Sequence, residues 1–175
     1  MATGTVVLPI GAAMLPDGSA SNLAPALQRT KSSAAAIAPY FLQAAMDAAT
    51  EEHLMWAFRM PVDYASAPVV KLQFKMVSAV TGNVILNARL AAVTPGDATD
   101  VDAKAFATVN ASAATAVPAT TAGKLGEISI TMTNADSLAA EDYVVLSVSR
   151  DGASGSDTAA GDLELVAVSL AYTTT

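Results

Sequence analysis

The fold of this chain is decided by the stretch from Thr50 to Tyr64, which reads TEEHLMWAFRMPVDY and holds the only tryptophan and the only histidine. Successive side chains of a strand point to opposite faces, so one face receives four large apolar residues. These are Leu54, Trp56, Phe58 and Met60, and the other face receives His53, Met55, Ala57 and Arg59. Burying each apolar side chain contributes roughly 1.5–3 kcal/mol. Because Pro61 has no N–H and favours an extended residue before it, we predict a core strand over residues 52–60.

A helical interpretation of part of this region stays open. Residues 43–58 are rich in Ala, Met, Glu and Leu, which are good helix formers, and Leu54 and Phe58 are spaced four apart. A helical turn over residues 44–52 would satisfy this pattern. The β character of the remaining chain favours the strand.

The composition predicts a single domain without cysteine chemistry. A chain of 175 residues can bury roughly 70% of its unfolded surface, so one core suffices. The net charge is −7 and the nine basic residues are scattered, which argues against nucleic acid and anionic membranes as partners. The absence of cysteine excludes disulfides and thiolate sites, and is compatible with assembly in a reducing cytoplasm.

The N-terminal residues 1–33 are predicted to form an extended arm on a single β-sandwich domain of residues 34–175. Prolines interrupt its apolar start and no basic residue precedes it, so we do not expect a secretory signal. No apolar stretch approaches the ~20 residues of a membrane span. The arm is either a loosely packed terminus or a segment that reaches a neighbouring subunit through one short strand. Its apolar residues are Val6, Val7, Leu8 and Ile10.

Alternating apolar residues predict about eight strands, and therefore an all-β fold: an antiparallel β-sandwich of the eight-stranded jelly-roll type. The runs 70–77 and 84–91 flank a short turn at Thr81, Gly82 and Asn83 and predict a β-hairpin, with Lys71, Lys75 and Arg89 on its outer face. Residues 110–123 predict a long loop or a flat sheet edge. The other strands are expected at residues 35–47, 103–109, 125–133, 143–150 and 163–172. The expected core residues are Trp56, Phe58, Met60, Phe74, Leu86, Val148 and Leu170.

None of the polar clusters predicts a metal or cofactor site. His53 is the only histidine, whereas catalytic zinc needs three protein ligands, so we expect a surface or half-buried side chain. Two aspartate groups could surround a hard cation, but neither matches an EF-hand and aspartate is common in turns. These groups are Asp97, Asp100 and Asp102, and Asp151, Asp157 and Asp162.

No catalytic residues are predicted, and we do not expect an enzyme. Glu51, Glu52 and Asp63 could supply a glycosidase pair, but nothing fixes the separation that such a pair requires. The sequence has no nucleophile elbow and no phosphate-binding loop. A sugar-stacking platform of Trp56, Tyr64 and Tyr40 is conceivable, although a tryptophan on the apolar face of a strand is more often part of a core.

Two sequence patterns in this chain resemble patterns found in small structural proteins of tailed-phage virions. An acidic residue precedes a Trp-x-Phe strand that ends in Met-Pro-x-x-Tyr, and the chain closes with an Arg-Asp-Gly turn and a strand ending in tyrosine. The resemblance covers residues 35–175. Its residues are Glu51, Trp56, Phe58, Met60, Pro61 and Tyr64, then Arg150, Asp151, Gly152, Asp157, Gly161, Asp162 and Tyr172.

The resemblance implies a jelly-roll head decoration (cement) or head-fibre protein. Such a protein would bind the major capsid protein on the outside of the virion as a trimer that bridges capsid subunits. Val6, Val7, Leu8 and Ile10, with Lys71, Lys75 and Arg89, would then make subunit contacts, and deletion of residues 1–10 would weaken assembly without unfolding the domain. The alternative is a tail or fibre module that binds a receptor or glycan. A cupin-like enzyme would need a histidine-rich metal site, which this chain lacks.

Overall fold

The structure is a computed structural model that describes residues 2–175, and its regular elements are twelve strands and two single 3-10 turns. The turns are Ile10–Ala12 and Val101–Ala103. Residues 2–175 contain no helix long and apolar enough to cross a membrane. The strands are β1 (Thr3–Leu8), β2 (Ala26–Lys31), β3 (Tyr40–Met46), β4 (His53–Arg59), β5 (Tyr64–Met76), β6 (Asn83–Val84), β7 (Leu86–Val93), β8 (Asn110–Ala111), β9 (Thr115–Ala116), β10 (Gly126–Thr131), β11 (Tyr143–Arg150) and β12 (Leu163–Thr174).

The strands form two principal antiparallel sheets around one core. The first sheet has the order β10-β5-β12-β3-β2, and β1 also pairs with β12. The second has the order β4-β11-β7-β8, and β6 pairs with β9 in a small separate ladder. Large apolar residues from both sheets belong to one buried cluster. The predicted fold class, an antiparallel β-sandwich of the jelly-roll type, is confirmed.

The stretch that decides the fold forms β4 with the predicted faces. Leu54, Trp56 and Met60 are buried, whereas Phe58 is half-buried and packs against the core. The remaining predicted core residues, Phe74, Leu86, Val148 and Leu170, are buried as expected. Residues 47–52 form a bend rather than a helical turn. The strand interpretation was therefore right, because the apolar residues share a face only at a period of two.

The predicted hairpin is wrong, because β5 and β7 belong to different sheets. β5 lies between β10 and β12, while β7 lies between β11 and β8. The residues between them cross the edge of the sandwich, where Gly82 adopts a φ of 93° and lies against the backbone of Ala159. Both strands bury an apolar face in one core, as the alternation indicated. Alternation identifies the buried face, but it does not say which strand supplies the hydrogen bonds.

The predicted strand at residues 103–109 is also absent from the structure. A 3-10 turn at Val101–Ala103 is followed by irregular chain, and Phe106 is half-buried. The following small-residue segment is mostly loop, with only the two-residue strands β8 and β9. Alanine and threonine fit strand and loop alike, so this composition could not separate the two.

The N-terminal segment is part of the sandwich. β1 pairs with β12 from Thr3 to Leu8, and Leu8 and Ile10 are buried in the chain's own core. Farther along, Met14 exchanges two backbone hydrogen bonds with Met55 of β4. Residues 3–14 thus connect the first sheet to the free edge of the second. Met1, part of the predicted contact segment, lies outside the described residues.

Candidate binding sites

The residues predicted to contact other subunits lie in three separate places. Leu8 and Ile10 are buried, so their side chains are inaccessible in the folded chain. Val7 is 70% exposed and lines a shallow groove with Lys71 on the outer face of the first sheet. Arg89 lies on the opposite side of the molecule, on the second sheet. The structure therefore does not combine these residues into one surface.

Lys75 is held inside its own sheet. It forms an ion pair with Glu164 on the neighbouring strand β12, and Glu164 also accepts a hydrogen bond from buried Gln43. Burial lowers the pKa of Lys75. Its charge is therefore neutralised within the chain.

A cleft of about 580 Å³ lies on the outer face of the second sheet. Strands β4, β7 and β11 provide its floor, and the segments at residues 20–23, 49–51 and 106 provide its walls. The floor residues are His53, Met55, Arg89 and Ser147; the wall residues include Asn22, Glu51 and Phe106. Most of these residues are polar, and they come from five separate parts of the chain.

Glu51 is the acidic residue of the cleft, and its carboxylate connects residues of β7 and β11. One oxygen of its carboxylate accepts hydrogen bonds from Ser149 Oγ at 2.7 Å, from Arg89 Nη1 at 3.2 Å and from Asn87 Nδ2 at 3.3 Å. Burial alone would raise the pKa of Glu51, but these hydrogen bonds and the Arg89 charge outweigh it and lower the pKa. Glu51 therefore stays ionised at neutral pH, and the Glu51–Arg89 pair carries no net charge.

His53 lies in the cleft beside this pair. Burial lowers the pKa of His53 and the Arg89 charge adds to this, while Glu51 partly opposes it. Its Nδ1 lies 3.4 Å from Ser147 Oγ, but Ser147 is buried. The Glu51 carboxylate accepts its hydrogen bonds from Asn87, Arg89 and Ser149 and not from His53, so these residues do not form a Ser-His-Glu relay.

Sequence reasoning missed this cluster because its members are distant in the chain. Glu51 lies 36 residues from Asn87 and 98 residues from Ser149. A local signal existed, since Asn87 and Arg89 alternate with the buried Ala88, as Ser147 and Ser149 do with Val148. This alternation shows a polar outer face on each strand, but not that the two strands are neighbours.

Neither aspartate group forms a cation site. The Asp157 side chain is buried and bound to Arg150, so Asp151, Asp157 and Asp162 do not converge on an ion. Asp97, Asp100 and Asp102 are all exposed. Within residues 2–175, no group of three or more histidine, aspartate or glutamate side chains could hold a metal.

The structure does not bring together the residues considered for a glycosidase pair or for a sugar-stacking platform. Glu52 accepts a hydrogen bond from the backbone of Asp47, and burial raises its pKa. Asp63 instead accepts a hydrogen bond from the Tyr172 hydroxyl at 2.8 Å. The aromatic platform is absent because Trp56 and Tyr64 are buried, whereas Tyr40 is exposed in another part of the chain.

A second candidate surface is the outer half of the β2–β3 hairpin. β3 pairs with β12 only over residues 44–46, and beyond this point the hairpin leaves the first sheet. Tyr40 is 59% exposed, and Phe41, which points to the opposite face, is 37% exposed. Ile37 in the connecting loop is fully exposed. This projecting hairpin presents apolar groups on both faces.

Comparisons with known proteins do not identify a family. No protein-family model matches the chain, and no curated protein matches it. A solved carbohydrate-binding module, TmCBM27, described for specific mannan recognition, is 12% identical with a TM-score of 0.44, covering 98% of this chain and 99% of the module. TmCBM61, solved with β-1,4-galactotriose, is 13% identical with a TM-score of 0.34, covering 96% of this chain and 86% of that one.

A viral structure is similar at the same level. A chain from infectious bursal disease virus, Gx strain, is 11% identical with a TM-score of 0.41, and the match covers 97% of this chain. It spans 31% of the viral chain. These identities and scores carry no argument about ligand or partner. The class of protein defined by the strand order is an antiparallel β-sandwich.

Proposed function

We propose that this chain is a non-enzymatic structural protein of a phage particle, which binds the outer surface of the capsid and stabilises it as a trimer bridging capsid subunits. The observation that carries the proposal is the projecting hairpin. Ile37 in its loop and Phe41 on the face opposite Tyr40 expose apolar surface outside the buried core cluster. Contiguous exposed apolar surface is typical of protein contact sites.

The mechanism follows from binding linkage. A protein that binds the assembled shell and not its free subunits stabilises that shell by mass action, by about 2.7 kcal/mol per site at a hundredfold excess over Kd. The location would be the virion surface, reached after assembly in the host cytoplasm. The resemblance in residues 35–175 supports this choice over other structural roles.

Co-sedimentation with undecorated, expanded capsids tests the proposal. We expect saturable binding with a fixed copy number per capsid, and we expect an Ile37→Ser/Phe41→Ser variant to bind at least about tenfold more weakly. Val62→Ser is the matched control, because Val62 is 73% exposed but lies outside the hairpin. If the folded wild-type protein does not sediment with capsids, the capsid role is wrong.

The cleft on the second sheet favours a second candidate function, a tail or fibre module that binds glycans. The Glu51–Arg89 pair offers acceptors and donors without net charge, and Phe106 offers an aromatic ring at the wall. This combination suits a neutral, polyhydroxylated ligand better than an ion, because an ion would leave a charge uncompensated.

Isothermal titration with neutral oligosaccharides tests this candidate. We expect Phe106→Ala to weaken binding about tenfold or more, since it removes the only aromatic side chain of the cleft lining. Tyr40→Ala is the control, because Tyr40 is an exposed aromatic residue outside the cleft. Absence of binding by the wild-type protein, or equal loss in both variants, would contradict a glycan site in the cleft.

A further inference from the structure

The second sheet carries an apolar groove of about 230 Å³ next to the cleft. Lys104 is the one charged residue of its lining, and Lys104 forms an ion pair with Asp136 at 2.8 Å. Val101 and Tyr143, both in this lining, are 52% and 42% exposed. The complete lining is Met55, Ala91, Val93, Val101, Lys104, Phe106, Tyr143 and Val145. This groove therefore leaves apolar surface facing solvent.

The loop that contributes Val101 to the groove carries three aspartates. Asp100 and Asp102 flank Val101 in sequence, and Asp97 lies in the same loop. All three are exposed, and none forms an ion pair with a side chain of residues 2–175. These three carboxylates are thus free of ion pairs within residues 2–175.

The projecting hairpin has the opposite charge. Residues 18–46 contain no acidic residue, and their only charged residues are Arg29 and Lys31, both exposed. Leu27, Arg29 and Lys31 share the face of the hairpin that carries Tyr40, and the Arg29 guanidinium lies 5.8 Å from the centre of the Tyr40 ring. The hairpin is therefore a cationic and aromatic projection on a chain of net charge −7.

We propose that the projecting hairpin of one copy docks on the apolar groove of a second copy of this chain. The inference rests on the proposed function, and it names the surfaces through which copies would contact each other. Leu27 and Tyr40, the exposed apolar groups on the cationic face of the hairpin, cover the groove, while Arg29 and Lys31 face the aspartates. Complementary charge of this kind selects partners and fixes their orientation.

The positive charges of Arg29 and Lys31 also favour a head-to-tail contact over a symmetric one. Two hairpins packed against each other would bring four cations together, which disfavours a symmetric hairpin-to-hairpin dimer. The hairpin belongs to the first sheet, whereas the groove is on the outer face of the second. The contact is therefore head-to-tail, and such contacts form rings when the rotation closes. A trimer is one such ring.

Sedimentation velocity of the purified protein over a concentration series tests the inference. We expect the wild type to associate, and both Arg29→Asp/Lys31→Asp and Asp100→Lys/Asp102→Lys to lose association at least about tenfold. The variant that combines all four changes restores complementarity and is expected to associate again. Lys71→Asp is the control, because Lys71 is an exposed cation outside the hairpin. Circular dichroism verifies that each variant is folded.

An equimolar mixture of the two charge-reversed variants provides the decisive result. Neither variant is expected to associate alone, but each hairpin is complementary to the groove of the other variant, so the mixture forms mixed complexes. A monomeric wild type, reversed variants that associate like wild type, or a mixture that stays monomeric would each overturn the inference. Capsid co-sedimentation of the wild type is read separately, so a monomer that still binds capsids refutes only this contact.

Discussion

Arg150→Met is expected to lower the free energy of unfolding by about 3–5 kcal/mol, the usual cost of removing one partner of a buried ion pair. Arg150 is fully buried, and Asp157, its partner, is 1% exposed at the side chain. The substitution leaves the Asp157 carboxylate uncompensated inside the protein. Because domains are stable by only about 5–15 kcal/mol, this is a large fraction of the total.

The contacts of Arg150 explain why the cost should be so high. Its Nε and Nη2 atoms donate to the two carboxylate oxygens of Asp157 at 3.1 and 2.8 Å. Its guanidinium also donates to the carbonyl oxygens of Gly161 and Ala159, each at 2.6 Å. Asp157 in turn accepts the backbone N–H of Ile85. One side chain thus fixes the loop at residues 151–162 against the crossing between the two sheets.

Urea unfolding followed by circular dichroism measures this effect. Arg59→Met is the matched control, because Arg59 also pairs with a carboxylate, Glu141, but both side chains are more than half exposed. Exposed pairs contribute about 0–1 kcal/mol, so the control should change little. Equal effects of the two substitutions would show that the Arg150–Asp157 pair does not stabilise the fold as described.

Trp56→Ala is expected to cost about 3–5 kcal/mol, the usual range for removing a large aromatic side chain from a core. Trp56 is 2% exposed and lies opposite Leu146 of β11. Its indole Nε1 donates a hydrogen bond to the Pro9 carbonyl at 2.8 Å. The substitution therefore also leaves Pro9 without this donor and loosens the segment that connects the two sheets.

Urea unfolding by circular dichroism is again the measurement, because Trp56 is the only tryptophan and its fluorescence is lost with it. Trp56→Phe is the control; it keeps a ring and loses the hydrogen bond, which is worth about 1 kcal/mol. Deletion of residues 1–10 should destabilise the same region, since it removes β1 and the Pro9 carbonyl. A loss below about 1 kcal/mol for Trp56→Ala would contradict its place in the core.

The deletion shows how the structure changes an expectation from sequence. Apolar residues before a proline-rich segment predicted an arm whose removal leaves the fold intact. In the structure, Leu8 is buried and aligned with Val168 of β12. Sequence could identify this apolar strand, but not the sheet that accepts it, because β1 and β12 lie at opposite ends of the chain.

The exposure of the projecting hairpin also depends on strand pairing that the sequence does not show. The sequence predicts a core strand over residues 35–47, because apolar residues in a strand normally indicate a buried face. In the structure, Ile37 and Tyr40 of this segment are exposed. The hairpin leaves the sheet where β12 changes its partner from β3 to β1. Only this change of partner, which local pattern cannot reveal, exposes the hairpin.

The sequence by itself determined the fold class, the faces of β4, β5, β7, β11 and β12, and the main core residues. Each of these follows from the two-residue period of a strand, which is a property of neighbouring residues. The tertiary structure alone decided that β5 and β7 lie in different sheets, and that Glu51 meets Arg89 and Ser149. The packing of the whole core determines those pairings, because several strands with the same alternation could form hydrogen bonds along each strand edge.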